Sequence, residues 1–479
     1  VSTFGKSEEG RNLLLVRVSD PPLADEKAVL ASQKLRLLVN ANIHAGEVEG
    51  KEAVQMLLRE LARGEHGDLL DGAVLYLVPI YNADGNERID RRNRVAQNGP
   101  SGGVGQRPNA EGLDLNRDFV KAESAECRAL LSVFNRVDPQ LFMDLHTTNG
   151  SYHGYHLTYS PSLSTNVDPE LDAYSRTELL PRIRARMLAH HGLRVFDYGN
   201  FYGESPSRGW RTYDHRPRFG TNYFGLRNRI SVLSEAYSYL SFQDRVRVTR
   251  AFVIETLKAA VEQGSRIRKL CAAADARAKG REGLRFGYAT RLQDPVEGEI
   301  LVGSIERERI EDLDAVRLVA GESFEARSMQ VQVAFRSRQS IPLPEAWALR
   351  AVPEAVRELL LLHGLEVGKL ERDTKVEAEV FVPREIRRRR RPFQKHHERS
   401  LRGAYVKRAL TLPAGSMIVS SGQRLARVAA QLLEAVSEDS LATWNFLDAL
   451  LEEGEDGKLP EYPVIRIIGG EELATIRLR

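Results

Sequence analysis

The sequence lacks the features that mark disulfide-stabilised and membrane-spanning proteins. Only two of its 479 residues are cysteine, Cys127 and Cys271, and so few exclude a scaffold held together by many disulfides. Its longest apolar runs have the length of a β-strand, so the sequence predicts no membrane span. No internal repeat is present, and the only low-complexity segment is a short run of arginines. The 42% hydrophobic and 28% charged residues instead indicate an ordinary globular protein.

Charge is nearly balanced over the whole chain but unevenly distributed along it. Residues 384–408, the basic segment, contain nine Arg and two Lys against two Glu, a local charge of +9 in a chain whose net charge is +3. Such a segment, with five consecutive arginines at 387–391, could attract an anionic polymer. It lacks the regularly interleaved aromatic residues of proteins that bind single-stranded nucleic acid. We therefore expect a solvated or internally paired face and no nucleic-acid partner.

Strands and helices alternate along the first half of the chain. Apolar runs predict strands at 12–18, 35–44, 73–80, 141–147 and 230–237, and apolar residues at helical spacing predict helices around 54–61, 123–137, 170–190 and 242–262. This alternation is typical of an α/β fold whose mixed, largely parallel sheet is flanked by helices on both faces. A long loop at 82–108, rich in Asn, Gly and Arg, interrupts the pattern, and loops of this length are usually functional.

A chain of 479 residues exceeds what one hydrophobic core usually supports, so the sequence predicts two domains. We assign residues 1–265 to the α/β domain, 266–280 to a linker and 281–479 to a smaller, mixed α+β domain of unknown role. The sequence begins with Val1 and not with Met. If an upstream signal peptide has been removed, the protein would be secreted or periplasmic, and the compartment therefore stays open.

One stretch, LRLLVNANIHAGE at 35–47, ends a buried strand with two side chains that bind metals. Imidazole and carboxylate are both good zinc ligands, and Gly46 lets the backbone turn so that His44 and Glu47 converge on one point. The alternative is an ordinary strand end followed by a helix cap, with Glu47 facing the helix dipole. A single HxxE pattern does not decide between the two.

A third candidate ligand, His146, lies at the end of the buried strand LFMDLHT. In open α/β sheets ligands bind beyond the carboxyl ends of the strands, where both histidines lie. Together, His44, Glu47 and His146 would give one zinc ion three protein ligands and an open position for water. Histidines that bind a metal also need a partner for the second ring nitrogen, and Asp114 or Asp144 could provide it.

A general base would complete such a site. Glu235 lies in ISVLSEAY, an otherwise apolar strand in which an unpaired carboxylate would be costly. Close to zinc it could take a proton from bound water and pass it to the leaving group. For this residue alone, the alternative is a surface glutamate at a strand end.

Four motifs follow one another in an order that resembles a known family. The motifs are HAGE at 44–47, LNRD at 115–118 within GLDLNRDF, DLHTT at 144–148 and SEAY at 234–237. This order resembles the zinc metallocarboxypeptidases related to carboxypeptidase A, and the resemblance covers about residues 1–262. It implies that His44, Glu47 and His146 bind zinc, that Asp114 orients His44, and that Glu235 is the general base and acid.

The same resemblance implies a set of residues that bind the substrate. Asn116 and Arg117 would hold the terminal carboxylate of a peptide. Independently of the family, a guanidinium presents a planar fork that suits bidentate binding of a carboxylate. Pairing of Arg117 with Asp114 or Asp118 is the structural alternative.

Two further roles known from this family each have two candidate residues in the sequence. An arginine that polarises the scissile carbonyl and stabilises the oxyanion would come from DRRNR at 90–94, where we favour Arg94 over Arg91. The tyrosine that caps the substrate would be Tyr213 or Tyr223. The spacing to Glu235 favours Tyr213, whereas the surrounding sequence GTNYFG favours a loop around Tyr223.

The sequence therefore predicts a zinc-dependent metallocarboxypeptidase whose substrate is a peptide with a free C-terminal carboxylate. A zinc amidase or deacylase that acts on cell-wall peptides or acylated amino acids is a second hypothesis. A third is a relative that binds peptides without catalysis, against which the retention of Glu235 argues. The sequence predicts no particular oligomeric state.

Overall fold

A computed structural model describes residues 1–148, 150–202, 205–281, 283–454 and 458–478. The strands up to residue 280 are β1 (Ser2–Lys6), β2 (Asn12–Val18), β3 (Leu35–Ala41), β4 (Ala73–Val78), β5 (Leu141–Thr148), β6 (Leu157–Pro161), β7 (Val195–Asp197), β8 (Asn200–Phe201), β9 (Trp210–Arg211) and β10 (Ile230–Tyr237). The helices are α1 (Glu26–Ala31), α2 (Glu49–Ala62), α3 (Gly67–Gly72), α4 (Ala83–Glu87), α5 (Ala125–Val137), α6 (Pro169–Tyr174), α7 (Leu180–His191), α8 (Gly220–Leu226), α9 (Phe242–Glu262) and α10 (Gly264–Gly280). A π-helical turn, Ser175–Leu179, joins α6 to α7.

Eight of these strands form one sheet in the order β1-β2-β4-β3-β5-β10-β6-β7. The central strands β4, β3, β5 and β10 run parallel to one another, whereas β1, β2 and β6 are joined by antiparallel pairs. Strand β5 is buried along its whole length, as expected for an apolar run in the middle of a parallel sheet. The predicted α/β fold with a mixed, largely parallel sheet is confirmed.

Both faces of this sheet are covered. On one face, Val39 of β3, Leu57 of α2 and Leu257 of α9 belong to a single hydrophobic cluster. On the other face, Phe142 of β5 shares a cluster with residues of α5 and with Trp347 from the C-terminal part of the chain. That second face is therefore covered partly by a helix of its own and partly by the C-terminal part.

The chain from residue 283 onward consists mainly of strands. They are β11 (Arg285–Leu292), β12 (Val296–Ile310), β13 (Ala315–Gln332), β14 (Phe335–Pro342), β15 (Ala346–Leu349), β16 (Val367–Leu370), β17 (Thr374–Arg388), β18 (Arg399–Leu412), β19 (Met417–Ser420), β20 (Val464–Gly470) and β21 (Thr475–Arg477), with helices α11 (Glu354–Leu362) and α12 (Ala426–Leu433). Seven strands form a sheet in the order β18-β17-β20-β15-β19-β16-β21. None of the helices in the described ranges combines the length and the apolar composition that a bilayer span needs.

Strands β12 and β13 form a long antiparallel hairpin that joins the N-terminal part of the protein. Strand β13 pairs with β9, so that β12-β13-β9-β8 is a single sheet. The backbone N–H of Ala320 also donates to the carbonyl of Tyr239 over 2.8 Å. Residues 266–280, the predicted linker, lie within α10. The domain boundaries stay a prediction. The sheet β12-β13-β9-β8 and one hydrophobic cluster contain residues from both sides of the predicted linker.

Part of the charge of the basic segment is paired within the protein. Arg389 lies 3.1 Å from Glu398 in the same segment. Lys395, in the connection between β17 and β18, lies 3.1 Å from Glu111 of the N-terminal part. The segment therefore uses some of its cations to fasten this connection onto the rest of the molecule.

A buried histidine joins the two parts of the chain. His363, directly after α11, has its Nδ1 2.6 Å from the hydroxyl oxygen of Tyr223 and its Nε2 3.0 Å from the carbonyl oxygen of Val120. A neutral ring satisfies both contacts, because Nε2–H donates to Val120 while Nδ1 accepts from Tyr223. Burial lowers the pKa of His363 to about 3, so the folded protein keeps this ring neutral.

Stability is therefore expected to fall at acid pH because of His363. Below its ordinary pKa of 6.5 the unfolded histidine takes up a proton that the folded one refuses. The stabilising contribution is complete above that pH and declines by about 1.4 kcal/mol per pH unit as the pH falls toward the folded pKa. In urea denaturation, the stability difference between the wild type and His363→Gln should shrink at this rate from about pH 6 to pH 4. His397→Gln is the control, because the ring of His397 contacts the backbone carbonyl of Arg389, 2.9 Å from its Nδ1. A difference that does not change with pH would contradict the prediction.

Candidate metal centre and active site

Three parallel strands bring the predicted site residues to one edge of the sheet. His44 and Glu47 follow the end of β3, His146 lies near the end of β5 and Glu235 lies near the end of β10. Strands β5 and β10 are in register, so that Glu235 is the direct partner of His146. Because the strands point the same way, these four side chains line one pocket of about 370 Å³.

The three candidate ligands direct their donor atoms toward one another. Nδ1 of His44 lies 3.0 Å from Oε1 of Glu47, and Nδ1 of His146 lies 3.0 Å from Oε2 of Glu47 and 3.2 Å from Nδ1 of His44. Each of the three residues is only 3% exposed. Two imidazole nitrogens at this distance need a proton or a cation between them. Two nitrogens and a carboxylate are also the donor set of catalytic zinc sites, so the residues present fit a zinc ion.

A carboxylate holds the second nitrogen of each histidine. Nε2 of His44 lies 3.0 Å from Oδ1 of Asp114, and Nε2 of His146 lies 2.9 Å from Oδ2 of Asp144. These contacts fix both rings with Nδ1 facing Glu47. The sequence offered Asp114 and Asp144 as alternatives, and the structure uses each of them for a different histidine.

The turn between the first two ligands needs glycine for reasons of space. The backbone N–H of Glu47 donates to the carbonyl of His44 over 2.8 Å and closes the turn. A Cβ atom on Gly46 would lie 2.6 Å from Cδ of Arg94 and 2.9 Å from the carbonyl oxygen of Gly105. Only glycine therefore lets the long loop cover the metal centre this closely.

The two carboxylates near the histidines have opposite pKa shifts. Burial alone would raise the pKa of Glu47, but the positive charges of His44 and Arg94 hold it well below its usual range. Burial raises the pKa of Glu235 to about 8. Glu47 is therefore suited to remain an anionic ligand, whereas Glu235 is suited to hold and release a proton.

Asn116 and Arg117 lie on a short 3-10 turn beside the histidines, and both line the pocket. Nδ2 of Asn116 lies 3.5 Å from Nε2 of His146. The guanidinium of Arg117 stacks on the ring of Phe219, 3.8 Å from its centre. Nη1 of Arg117 donates to the backbone carbonyl of Asn116 over 2.8 Å and lies 3.8 Å from Oδ2 of Asp114. Stacking fixes the plane of the guanidinium, and its other N–H groups can donate to a bound anion.

Of the two candidate capping tyrosines, only Tyr213 lines the pocket. Its ring packs edge-on against Tyr198 and Phe219, with ring centres 5.4 and 5.3 Å away. Tyr223 lies outside the pocket, because its ring is buried in the core on α8 and its hydroxyl contacts His363. The sequence GTNYFG forms a helix and not a loop, because its aromatic residues pack into the hydrophobic core.

The structure also changes which arginine reaches the pocket. Nη2 of Arg94 donates to Oε1 of Glu47 over 2.7 Å, but its side chain lines a separate cavity together with Arg91. Among the arginines of this loop, the one that lines the pocket is Arg107, whose Nε and Nη2 donate to Oδ2 of Asp114 over 3.0 and 2.8 Å. Arg94 thus reaches Glu47 from the side of that separate cavity, whereas Arg107 lines the pocket itself.

Sequence reasoning missed Arg107 although a signal was available. The residue lies seven positions before Asp114, in the same loop that delivers this carboxylate to His44. It also missed Gln394, whose Oε1 accepts a hydrogen bond of 2.8 Å from the backbone N–H of Asp114. Gln394 comes from the β17–β18 connection, 280 residues later, so no local pattern could have indicated it.

Known proteins resemble the part of the chain that contains the three candidate metal ligands. The sequence model of the family described as zinc carboxypeptidase matches residues 1–166, which include His44, Glu47 and His146 but not Glu235. The chain is related to the zinc metallocarboxypeptidases. Carboxypeptidase 2 of Trichophyton tonsurans is 23% identical over 480 residues, which cover 96% of this chain and 81% of the relative. Carboxypeptidase D of Mus musculus is 34% identical over 169 residues, which cover 30% of this chain and 12% of that protein.

A solved structure gives a weaker match. A metallo-carboxypeptidase from Pseudomonas aeruginosa, in complex with (2-guanidinoethylmercapto)succinic acid, has a TM-score of 0.40 and 21% sequence identity, and the match covers 56% of this chain and 64% of that one. The predicted relationship to zinc metallocarboxypeptidases, and with it the assignment to the metallopeptidases, is confirmed by the family match and the curated relatives. The roles of individual residues remain proposals.

Proposed function

We propose that the protein is a zinc-dependent carboxypeptidase that hydrolyses the C-terminal peptide bond of peptides. The observation that carries this proposal is the composition of one pocket. It combines a group of three buried metal-binding side chains with Glu235 on the adjacent strand and with Arg117 on the wall. A metal centre, a proton acceptor and an anion-binding group are what hydrolysis next to a free carboxylate requires.

The metal-binding residues and the base have separate tasks in this reaction. His44, Glu47 and His146 would hold one zinc ion, which when bound lowers the pKa of a water molecule and polarises a carbonyl group. Glu235 would accept the proton from that water and deliver it to the leaving nitrogen. Burial raises the pKa of Glu235, and a zinc ion beside it would lower that pKa again, so the carboxylate could accept the proton first and hold it until the amine departs.

The two pocket arginines would act on different parts of the substrate. Nη1 of Arg107 lies 3.7 Å from Oε1 of Glu47, so this cation stands beside the metal centre, where the oxyanion forms. Arg117 is held on the ring of Phe219, and with Asn116 it would bind the terminal carboxylate. Tyr213 would close over the bound residue from the same wall.

Two peptides that differ only in a free or an amidated C-terminus test the proposal. We expect the wild type to cleave the free acid with a kcat/KM at least about 100-fold higher, because the amide loses the charge-assisted hydrogen bonds to Arg117. Arg117→Gln should lose most of this preference through a higher KM. Arg107→Gln should keep the preference and lower kcat by about 10²–10³-fold. Equal cleavage of both peptides by the wild type would contradict a carboxypeptidase and favour the amidase hypothesis.

A further inference from the structure

A second cavity lies behind the metal centre, away from the pocket in which the proposed reaction takes place. It has a volume of about 190 Å³ and is enclosed between the loop at 91–104 and the tip of the β12–β13 hairpin. Its charged lining consists of Arg91, Arg94, Arg245 and Arg317, and each has a carboxylate partner outside the lining, namely Asp312, Glu47, Glu49 and Glu308 in that order. Among the lining residues that the structure describes, none is acidic. Because neighbouring carboxylates balance these charges, an anionic occupant is favoured only where a lining guanidinium keeps hydrogen bonds unmade.

Arg245 gives this cavity a donor group that the protein itself leaves without an acceptor. The residue is 1% exposed, yet neither Nε nor Nη1 has a hydrogen-bond partner among the described residues. The carboxylate paired with it, Oε2 of Glu49, lies 3.6 Å from Nη1, beyond ordinary hydrogen-bond length. A buried guanidinium with unmade hydrogen bonds is costly unless a ligand or ordered water supplies the missing acceptor.

A second buried polar side chain on the same lining is also unpaired. Gln97 is 9% exposed, and in the described part of the chain neither its Oε1 nor its Nε2 has a partner. Nε2 is a donor, as are the guanidinium groups around it, so an occupant with several acceptor oxygens would satisfy them together. Oε1 is an acceptor and would be satisfied by an occupant that also carries a hydroxyl group.

The hairpin is held in place over this cavity by contacts with the loop. The side chain of Asn98 donates to the carbonyl of Leu318 over 3.2 Å and to that of Tyr239 over 2.9 Å. The cavity is therefore built jointly by the N-terminal and C-terminal parts. Arg94 also belongs to the metal centre, through its contact with Glu47. An occupant would thus lie one side chain away from a candidate zinc ligand.

We propose that this cavity binds a small oxyanion through Arg245, Arg317 and Gln97. The volume of about 190 Å³ exceeds the roughly 30 Å³ that one water molecule occupies in the liquid, so a phosphate or a small carboxylate fits within it. The ligand chemistry is a compact group with several acceptor oxygens, either phosphate or carboxylate. The site takes no part in the proposed peptide hydrolysis.

Calorimetric titration of the zinc-loaded protein with inorganic phosphate, and separately with acetate, tests this site at constant ionic strength. We expect at least one of the two anions to bind and Arg317→Gln to weaken that binding at least tenfold through the loss of a charge-assisted donor. The side chain of Arg317 is 41% exposed, so this variant should fold. Arg245→Gln should weaken binding as strongly. The anion that binds more tightly shows whether the ligand of this cavity carries a phosphate or a carboxylate group.

The controls separate this cavity from general charge effects and from the active site. Arg309→Gln removes the same charge from the same hairpin at a side chain that is 74% exposed and outside the cavity lining, and it should bind like the wild type. Acetate also has a binding site at Arg117 in the proposed active site, so the titrations are repeated in an Arg117→Gln background, in which the binding that depends on Arg317 and Arg245 should persist. The proposal is overturned if neither anion binds at millimolar concentration, or if binding is lost in Arg117→Gln and unchanged in Arg317→Gln and Arg245→Gln. The titration needs no peptidase activity, so its outcome is independent of the proposed function.

Discussion

Replacing Glu235 by glutamine should lower kcat by about 10²–10⁴-fold while the protein keeps its zinc. Glutamine has the size of glutamate but cannot accept the proton from the attacking water. Zinc should stay bound because Glu235 is not among the three side chains whose donor atoms converge. Peptide hydrolysis and zinc content, measured on the same preparation, check both parts of this expectation.

Glu126→Gln is the matched control for this variant. Glu126 is also buried, and burial raises its pKa to about 7, but the residue does not line the pocket. The control should therefore keep both its zinc and its activity. A Glu235→Gln variant that holds zinc and turns over at the wild-type rate would remove Glu235 from its proposed role.

Replacing His146 by alanine should abolish stoichiometric zinc binding and, with it, activity. The change removes one of three donors and leaves Asp144 without the imidazole that it contacts at 2.9 Å. Asp144→Asn should have a graded effect and weaken zinc binding by about 10–100-fold, since it perturbs the orientation of His146 without removing a ligand. Competition with a metal-binding dye measures both affinities.

His153→Gln controls for the loss of a buried histidine near the pocket. His153 packs against Tyr237, with ring centres 4.1 Å apart, and it is not one of the converging donors. This variant should be less stable but should bind zinc like the wild type. Stoichiometric zinc in the His146→Ala protein, or a purified wild type that neither binds zinc nor loses activity with a chelator, would contradict the proposed centre.

The sequence by itself determined the elements that carry the metal-binding residues. Strands β3, β5 and β10 are apolar runs whose burial follows from composition, and the site side chains lie at or just beyond their ends. Parallel pairing then places those ends side by side at one edge of the sheet. His44, Glu47, His146 and Glu235 could thus be predicted together, because their positions depend on local hydrophobic patterns and on one general rule of α/β sheets.

Only the tertiary structure decided which side chains from irregular segments complete the pocket. Arg94 and Arg107 belong to the same long loop, and no periodicity predicts which of them lines the pocket. Packing distinguishes Tyr213 from Tyr223, because the ring of Tyr223 belongs to the hydrophobic core whereas Tyr213 lines the pocket. The contact of Gln394 with Asp114 and the cavity closed by the β12–β13 hairpin join residues hundreds of positions apart. The free energy of such contacts comes from the assembled fold, so the local sequence carries no signal for them.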